Sequence, residues 1–312
     1  MITWGINALN HGSSLAVIKD NNLLSLSSGN GDILDDLTIS RSLNHGHPDR
    51  LFWYEQPWLK KARQLRAGQY SRALDMSVLP SRYLKTIGLD NVPVSYTPHH
   101  ASHAAAGYYT SPFDNAAVVV LDAIGEFECA SIWHGKDGNL TKVWSRSYPH
   151  SLGLFYSAFT QLLGLTPLKD ESMVEQLAAN GNPSKYYNDV IQYLSGLVDS
   201  KNLHKGVSDW TSDISTKQDR YDLAAAVQTV FEEQVGRVMT MARILTRSTN
   251  LVYMGGCAMN QRANLDVVKY WNKVWSLPNP GDASSAIGAV LYHTKQHINW
   301  TGPLAKHITI SV

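Results

Sequence analysis

The chain has 312 residues, which is more than one small hydrophobic core usually organises, so we expect two lobes. Hydrophobic residues make up 44% of the chain and charged residues only 17%, a composition that excludes intrinsic disorder. The formal net charge is +1, which excludes a general electrostatic attraction to nucleic acid or to membranes.

The two cysteines, Cys129 and Cys257, lie far apart in the chain, so the sequence predicts a reducing, cytoplasmic location and no disulfide framework. The longest aliphatic run, residues 116–121, is far shorter than the roughly 20 residues of a membrane helix. The N-terminus lacks the basic and apolar segments of a signal peptide. We therefore expect no membrane partner.

The N-terminal segment is predicted to form three short strands, at residues 2–7, 14–19 and 23–27, because β-type runs alternate there with turn residues. Small and polar residues occupy the loop between the first two strands. They are Asn10, His11, Gly12 and Ser13. Residues 28–75 show no clear period, and we interpret them as an irregular insertion or cap.

An aromatic and basic stretch lies near the end of that insertion. It contains Phe52, Trp53, Tyr54, Trp58, Lys60, Lys61, Arg63 and Arg66. Interleaved rings and cations can stack on a base and contact its phosphates. An amphipathic helix that covers the core has the same pattern, and we favour that interpretation.

A histidine-rich helix is predicted over residues 99–109. His99 and His103 lie four residues apart on one face of this helix, a spacing at which two imidazoles can chelate one metal ion. Asp282 is a candidate third ligand. An alternative role for Asp282 is to cap the C-terminal helix that begins near it.

The three-strand pattern of the N-terminus is repeated at residues 116–122, 128–134 and 140–146. Its first loop contains Asp122, Gly125 and Glu126, in the position that residues 10–13 occupy in the first copy. We therefore predict two diverged copies of one architecture.

Helical periodicity is predicted at residues 152–163, 184–197, 220–247 and 258–270. Strands followed by helices, twice over, predict an α/β protein of two lobes with a nucleotide cleft between them. We divide the chain into an N-terminal lobe at residues 1–113 and a C-terminal lobe at residues 114–312.

Three loops rich in glycine are candidates for nucleotide binding, because small residues let backbone N–H groups approach a phosphate closely. Two of them are the first loops of the two copies. The third follows a predicted strand at residues 251–254 and precedes a helix. The candidate side chains and glycines are Asn10, Gly12, Ser13, Asp122, Gly125, Glu126, Gly255, Gly256 and Asn260.

Two further histidines, His11 and His100, are the candidate catalytic residues. A histidine in the first loop, such as His11, can deprotonate an acceptor hydroxyl near neutral pH. More often, such a histidine only forms a hydrogen bond with a neighbour.

These segments together resemble the O-carbamoyltransferases of the NodU and tobramycin carbamoyltransferase type, in the part with the actin-like, sugar-kinase-like fold. The resemblance covers most of the chain. It is carried by Gly5 and Ile6 with His11, and by residues 98–113, 118–126, 148–159, 255–260, 281–282 and 286–289.

The resemblance implies a divalent metal, commonly iron, held by His99, His103 and Asp282, with Zn²⁺ or Mn²⁺ as other possibilities. It also implies that carbamoyl-adenylate, made from carbamoyl phosphate and ATP, yields its carbamoyl group to an acceptor hydroxyl. His11 is then the candidate general base.

The sequence departs from the family pattern in three places. Gly12 stands where the family has an aspartate, residues 27–36 replace a Glu-Glu-Arg-Phe segment, and no Gly-Pro-Arg-Ala-Leu-Gly motif of a domain that makes carbamoyl-adenylate is present. We therefore expect either a separate protein that forms carbamoyl-adenylate or direct use of carbamoyl phosphate and ATP.

The sequence leaves several classes of acceptor hydroxyl as alternatives. The aromatic and basic stretch slightly favours a hydroxymethyl-pyrimidine, such as 5-hydroxymethylcytosine in a nucleotide or in DNA, over the hydroxyl of a sugar or an antibiotic. Two alternative functions are threonylcarbamoyl transfer to tRNA and a non-catalytic module that only binds a nucleotide.

Overall fold

The computed structural model describes residues 1–29, 31–194 and 200–300, and its named strands form two five-stranded sheets. The first sheet contains β1 (Ile2–Asn10), β2 (Gly12–Lys19), β3 (Asn22–Gly29), β4 (Arg50–Trp53) and β5 (Val94–Tyr96), in the order β3-β2-β1-β4-β5. The second contains β6 (Asn115–Leu121), β7 (Glu128–Lys136), β8 (Asn139–Ser147), β9 (Asn250–Met254) and β10 (Lys273–Trp275), in the order β10-β9-β6-β7-β8.

The α-helices in the described residues are distributed over both halves of the chain. They are α1 (Asp36–Leu43), α2 (Pro57–Arg66), α3 (Tyr70–Leu74), α4 (Pro80–Thr86), α5 (His99–Thr110), α6 (Leu152–Leu162), α7 (Glu171–Ala178), α8 (Tyr187–Ile191), α9 (Lys217–Thr246), α10 (Gln261–Val267) and α11 (Ser285–Thr294). Among the described residues, no helix is both long enough and apolar enough to span a bilayer.

The two sheets have the same topology, so the predicted duplication is confirmed. Each begins with an antiparallel meander of three strands, and two strands that are parallel to the first strand follow. A parallel strand requires a crossover connection, which helices supply in both copies. The division into lobes at residue 113 stays a prediction.

Strand β4 corrects the interpretation of residues 28–75 as an irregular insertion. It lies inside the first sheet between β1 and β5, with Leu51, Phe52 and Trp53 buried. A short parallel strand that is buried on both faces has no alternation of polar and apolar residues, so its sequence pattern does not reveal it.

Two predicted helices are shorter in the structure. Residues 184–197 contain only a 3₁₀ turn and α8, and residues 195–199 lie outside the described residues. Residues 258–270 contain α10 between two 3₁₀ turns, because the Asn260 side chain accepts a hydrogen bond from Ala263 N and starts the helix there.

Alternate side chains of β6 pack into two different cores. Ala117, Val119 and Leu121 belong to the core formed with α6 and α9, whereas Val118 and Val120 belong to the core shared with the first sheet. This follows from the two-residue period of a strand. The second sheet is therefore covered on both faces.

Helices α5 and α11 lie between the two sheets. Every residue of α5 is buried, and α11 packs against β1 on one side and α5 on the other. Two glycines allow this approach: a Cβ atom on Gly5 would lie 1.8 Å from Ala286 O, and one on Gly288 would lie 1.7 Å from Ser102 O. The start of α11 is thereby held beside the first turns of α5.

We predict that Gly5→Ala lowers the free energy of unfolding by at least about 2–3 kcal/mol, because the added methyl group overlaps a backbone carbonyl that cannot rotate away. Urea unfolding curves measure the change. Gly31→Ala is the matched control, since no atom lies within 4 Å of the corresponding Cβ position. Equal stability of the two variants would contradict the close contact.

Candidate metal centre

The first turn of α5 is held by a carboxylate from the loop between β6 and β7. Both carboxylate oxygens of Glu126 accept hydrogen bonds from the His99 backbone N–H, at 3.0 and 3.1 Å, and Oε1 also accepts one from Gln56 N at 2.7 Å. No side chain from the preceding residue, Pro98, performs this role. Glu126 therefore caps α5 and complements the partial positive charge of its N-terminus.

Four side chains converge beside this turn. His99 Nε2 and His103 Nε2 are 3.0 Å apart. Asp122 Oδ2 lies 3.0 Å from the first of these nitrogens and 3.5 Å from the second, and Asp282 Oδ1 lies 3.4 and 3.3 Å from them. All four candidate ligand atoms lie within 4.8 Å of one another.

These separations fit the coordination of one divalent ion. Two atoms that bind an ion at about 2.1 Å, at an angle of about 90–110°, lie about 3.0–3.4 Å from each other. Two imidazoles and two carboxylates are also a donor set that suits Fe²⁺, Zn²⁺ and Mn²⁺. The residues present therefore fit the metal that the resemblance implies.

The carboxylates control the protonation of the two histidines. Burial by itself would lower the pKa of His99, but the charges of Asp282, Asp122 and Glu126 outweigh it and raise this pKa to about 10. Burial also opposes protonation of His103, and its hydrogen bonds to Asp122 and Asp282 raise its pKa. Two carboxylates thus create a position beside the first turns of α5 that strongly attracts a cation.

Further contacts fix the carboxylate of Asp122 and the backbone of Asp282. Asp122 Oδ1 accepts hydrogen bonds from Ala123 N at 2.9 Å and from Gly256 N at 3.2 Å. The backbone oxygen of Asp282 accepts one from Asn7 Nδ2 at 3.0 Å. On the imidazole side, His103 Nδ1 lies 3.3 Å from Ser285 Oγ. Such outer contacts orient metal ligands in proteins.

The sequence assigned Asp122 to a nucleotide loop, and the structure instead brings it into the cluster with His99, His103 and Asp282. It directly follows β6, where the neighbouring strand β9 also ends. Ligand sites of α/β sheets lie at the carboxyl ends of parallel strands. The position of Asp122 directly after a predicted strand was therefore the feature of the sequence that could have indicated its place in the cluster.

Three other side chains predicted to bind a nucleotide are engaged within the protein. Glu126 caps α5, Asn260 caps α10 and pairs with Gln228, and Ser13 Oγ donates a hydrogen bond to Ile33 O at 2.9 Å. Their polar atoms therefore have structural roles in this conformation.

The predicted glycine loops are also hydrogen-bonded internally. Gly125 N donates to Glu128 O and Gly255 N donates to Pro280 O, both at 2.8 Å. Gly255 has φ +92°, and a Cβ atom there would lie 2.2 Å from Leu121 O, so only glycine fits. A nucleotide that used these N–H groups would have to displace protein acceptors.

The first loop is the more accessible candidate. Gly12 has φ +84°, its N–H lies 3.4 Å from Asp32 Oδ1, and Asn10 is half-buried beside it. His11 lies at the tip of the β1–β2 hairpin and is exposed. The structure does not bring His11 into contact with the four-residue cluster.

His100 is not one of the four converging side chains, although its ring centroid lies 6.0 Å from that of His99. Its Nδ1 lies 2.8 Å from Ser131 Oγ, and its Nε2 is buried without a protein partner. Burial and the neighbouring His99 hold the pKa of His100 well below its ordinary value, so the ring is neutral. This position does not favour proton exchange with an acceptor.

The aromatic and basic stretch is not the amphipathic helix that we favoured, because Phe52 and Trp53 lie in β4 and only residues 57–66 form a helix, α2. Phe52, Trp53 and Tyr54 are buried, and Trp58 is 64% exposed on α2. The Arg63 side chain points inward and donates from Nε to Glu126 O at 3.3 Å. The three buried rings are therefore not available to stack on a base.

Two solved structures share the whole fold at low sequence identity. One is the activator of the 2-hydroxyisocaproyl-CoA dehydratase from Clostridium difficile, with a TM-score of 0.50 and 11% identity over 95% of this chain and 96% of that one. The other is a ROK family protein from Streptococcus pneumoniae, with a TM-score of 0.52 and 12% identity over 95% and 99%. They confirm the predicted two-lobed, actin-like and sugar-kinase-like fold.

Sequence relatives are longer than this chain. An uncharacterised protein of Synechocystis sp. is 32% identical over 236 residues, which are 67% of this chain and 38% of the relative. The nodulation protein NolNO of Sinorhizobium fredii is 24% identical over 243 residues, which are 74% of this chain and 34% of the relative. The matched regions thus span little more than a third of these relatives.

The model of the family described as "Carbamoyltransferase N-terminus" matches residues 52–291. This range contains α5, the Asp122 loop, the Gly255–Gly256 turn and Asp282. The chain therefore belongs to the carbamoyltransferase N-terminus family, as its resemblance predicted.

Proposed function

We propose that this chain carries out the transfer step of an O-carbamoyltransferase, in which a carbamoyl group moves from carbamoyl-adenylate to an acceptor hydroxyl. The observation that carries the proposal is the convergence of two imidazoles and two carboxylates, in a chain of the carbamoyltransferase N-terminus family. Burial of two imidazoles and two carboxylates at the carboxyl ends of β6 and β9 carries a desolvation penalty, which a bound ligand would offset.

In this proposal His99, His103, Asp122 and Asp282 hold one divalent ion, with Fe²⁺ favoured by the resemblance and Zn²⁺ or Mn²⁺ compatible with the donor set. When bound, such an ion polarises a carbonyl or phosphoryl oxygen and stabilises the charge that develops on it. The carboxylate of Glu126 supports the site by fixing the first turn of α5, and hence the directions of both imidazoles.

We assign proton removal from the acceptor hydroxyl to His11, because it is the exposed candidate base in the first loop. Its place at the hairpin tip leaves it free to approach an acceptor that enters from solvent. The buried and neutral His100 has a positioning role in this proposal, through its hydrogen bond with Ser131.

The donor is carbamoyl-adenylate, formed from carbamoyl phosphate and ATP. The fold supports a nucleotide between the lobes, and the loop with Asn10 and Gly12 is the candidate contact for its phosphate. We propose that a separate protein or domain forms carbamoyl-adenylate. Both cysteines are buried and unpaired, in keeping with the proposed cytoplasmic location.

The acceptor is proposed only as a hydroxyl compound. A hydroxymethyl-pyrimidine in a nucleotide or in DNA was favoured by the aromatic and basic stretch, and burial of Phe52, Trp53 and Tyr54 removes three of the four rings on which that preference rested. Sugar, antibiotic and pyrimidine hydroxyls therefore enter the test on equal terms.

We predict that the metal-free chain binds one Fe²⁺ or Zn²⁺ per molecule, and that Asp122→Asn and His103→Gln each weaken binding at least tenfold, because each removes a ligand atom of the cluster. Anaerobic titration with a competing chelator gives the affinities. Asp266→Asn, which changes an exposed carboxylate, is the matched control. Unchanged affinity in both cluster variants would overturn the metal site.

We predict that the metal-loaded chain transfers a carbamoyl group when it is supplied with freshly made carbamoyl-adenylate and a panel of hydroxyl acceptors. Mass spectrometry identifies the product by the gain of one carbamoyl group. His11→Gln should lower the turnover number at least about a hundredfold, because the base is lost, without weakening metal binding. A second set of reactions with carbamoyl phosphate and ATP reports whether the chain also performs the activating step.

The absence of any carbamoylated product across the panel, with metal bound and carbamoyl-adenylate present, would refute the proposed function. Product formation by His11→Gln at the wild-type rate would refute only the assignment of the base.

A further inference from the structure

A row of polar side chains crosses the first sheet next to the cluster. Asn7 of β1 is the register partner of Ser14 on β2. On the other side of β1, the parallel register pairs Ile6 with Trp53, and Tyr54 N donates to Ile6 O at 3.1 Å. Tyr54 directly follows the last residue of β4, and this backbone hydrogen bond sets it beside the end of the pairing, next to Asn7.

The face of this row is identified by its neighbours. Gly5, two residues before Asn7, contacts α11, and Phe52, two residues before Tyr54, packs on His293 of α11 with ring centroids 5.0 Å apart. Side chains two residues apart on a strand point to the same face, so the row faces the side of the sheet on which α11 and the cluster lie.

Three atoms of this row are buried and lack a hydrogen-bond partner in the protein. They are Asn7 Oδ1, Ser14 Oγ and the Tyr54 hydroxyl, on side chains that are each fully buried. The orientation of the Asn7 amide is fixed, because Nδ2 donates to Asp282 O at 3.0 Å. Buried polar groups are nearly always hydrogen-bonded, and each unpaired group carries a desolvation penalty, so three in one row indicate an absent partner.

The row lies directly against the cluster. Asn7 contacts the backbone of Asp282, and the rings of Tyr54 and His99 have centroids 5.4 Å apart. Burial, together with the negative charges of Glu55, Asp282 and Glu126, raises the pKa of Tyr54 well above its ordinary value. Tyr54 is therefore a neutral hydrogen-bond donor.

We propose that Asn7, Ser14 and Tyr54 form a subsite for the carbamoyl group itself, next to the cluster of His99, His103, Asp122 and Asp282. The inference rests on the proposed function and adds the residues that recognise the transferred group. The carbamoyl NH₂ donates to Asn7 Oδ1 and Ser14 Oγ, and the Tyr54 hydroxyl donates to the carbamoyl oxygen.

The charge and size of the subsite select this group over the other parts of the reactants. The three atoms of the subsite are uncharged, so they offer no ion pair to a phosphate. The three atoms are enclosed, so a bulky acceptor does not fit. A carbamoyl group is small, planar and uncharged. Its NH₂ group supplies two hydrogen-bond donors for Asn7 Oδ1 and Ser14 Oγ, and its oxygen accepts from the Tyr54 hydroxyl.

The test compares carbamoyl-adenylate with acetyl-adenylate, in which a methyl group replaces NH₂. A site that hydrogen-bonds an NH₂ group rejects the analogue that lacks it, because its own acceptors are then left unpaired. Displacement of a fluorescent AMP analogue in stopped-flow mixing gives both affinities before the adenylates hydrolyse. We expect the wild-type chain to bind carbamoyl-adenylate at least tenfold more tightly than acetyl-adenylate.

Three variants then assign this preference. Asn7→Leu, which keeps the side-chain shape, should abolish the preference, and Ser14→Ala and Tyr54→Phe should each reduce carbamoyl-adenylate affinity about three- to tenfold. The last two should leave AMP affinity and the melting temperature unchanged, because the hydroxyl that each removes has no partner in the free protein. Ser28→Ala and Tyr70→Phe, at exposed positions, are the matched controls.

The outcomes separate the subsite from the proposed function. Equal binding of the two adenylates by the wild-type chain overturns the subsite even where carbamoyl product forms. A preference for carbamoyl-adenylate that survives in all three variants also overturns the subsite. So does a lowered melting temperature of Ser14→Ala and Tyr54→Phe with unchanged affinities, because that result indicates that the hydroxyls bind a structural water instead. A lost preference in Asn7→Leu supports the subsite even where no acceptor in the panel is carbamoylated.

Discussion

The insertion of α11 between β1 and α5 is the constraint on which the rest of the structure depends. Backbone approaches as close as those at Gly5 and Gly288 leave no room for any side chain, so the position of α11 is fixed to within a fraction of an ångström. Asp282 directly precedes this helix, and it therefore reaches the same point in every molecule. At that point Asp282 Oδ1 lies 3.4 and 3.3 Å from the Nε2 atoms of His99 and His103, which are one turn of α5 apart.

The cluster itself contributes little to stability, which argues for its functional origin. Removing carboxylates and imidazoles from water costs several kcal/mol per charged group, and mutual attraction offsets this cost only with good geometry. Asp122 reduces the cost by accepting hydrogen bonds from Ala123 N and Gly256 N, so it joins the cluster to the turn after β9. A ligand that binds at the turn is thereby connected to the metal ligands through one carboxylate.

The sequence predicted most of the architecture, because both meanders and the long helix α9 have a clear local period. It also predicted the pairing of His99 and His103, which depends only on a spacing of four residues. It missed strand β4, whose length of four residues contains no measurable period, and it did not place Asp122 beside the two histidines, because that contact joins residues distant in the sequence. The internal hydrogen bonds of Gly125 and Gly255 also could not be predicted from the sequence, because tertiary packing determines which acceptors lie beside them.

The aromatic and basic stretch shows how one composition can have two physical explanations. In the structure two groups of the stretch donate hydrogen bonds to Glu126: Gln56 N to Oε1 and Arg63 Nε to the backbone oxygen. The carboxylate of Glu126 in turn accepts a hydrogen bond from the His99 N–H. The stretch therefore supports the helix that carries the imidazoles, and three of its four rings are buried. Little ring surface is then left for an acceptor, and the exposed hairpin tip with His11 is another surface that the proposed reaction can use.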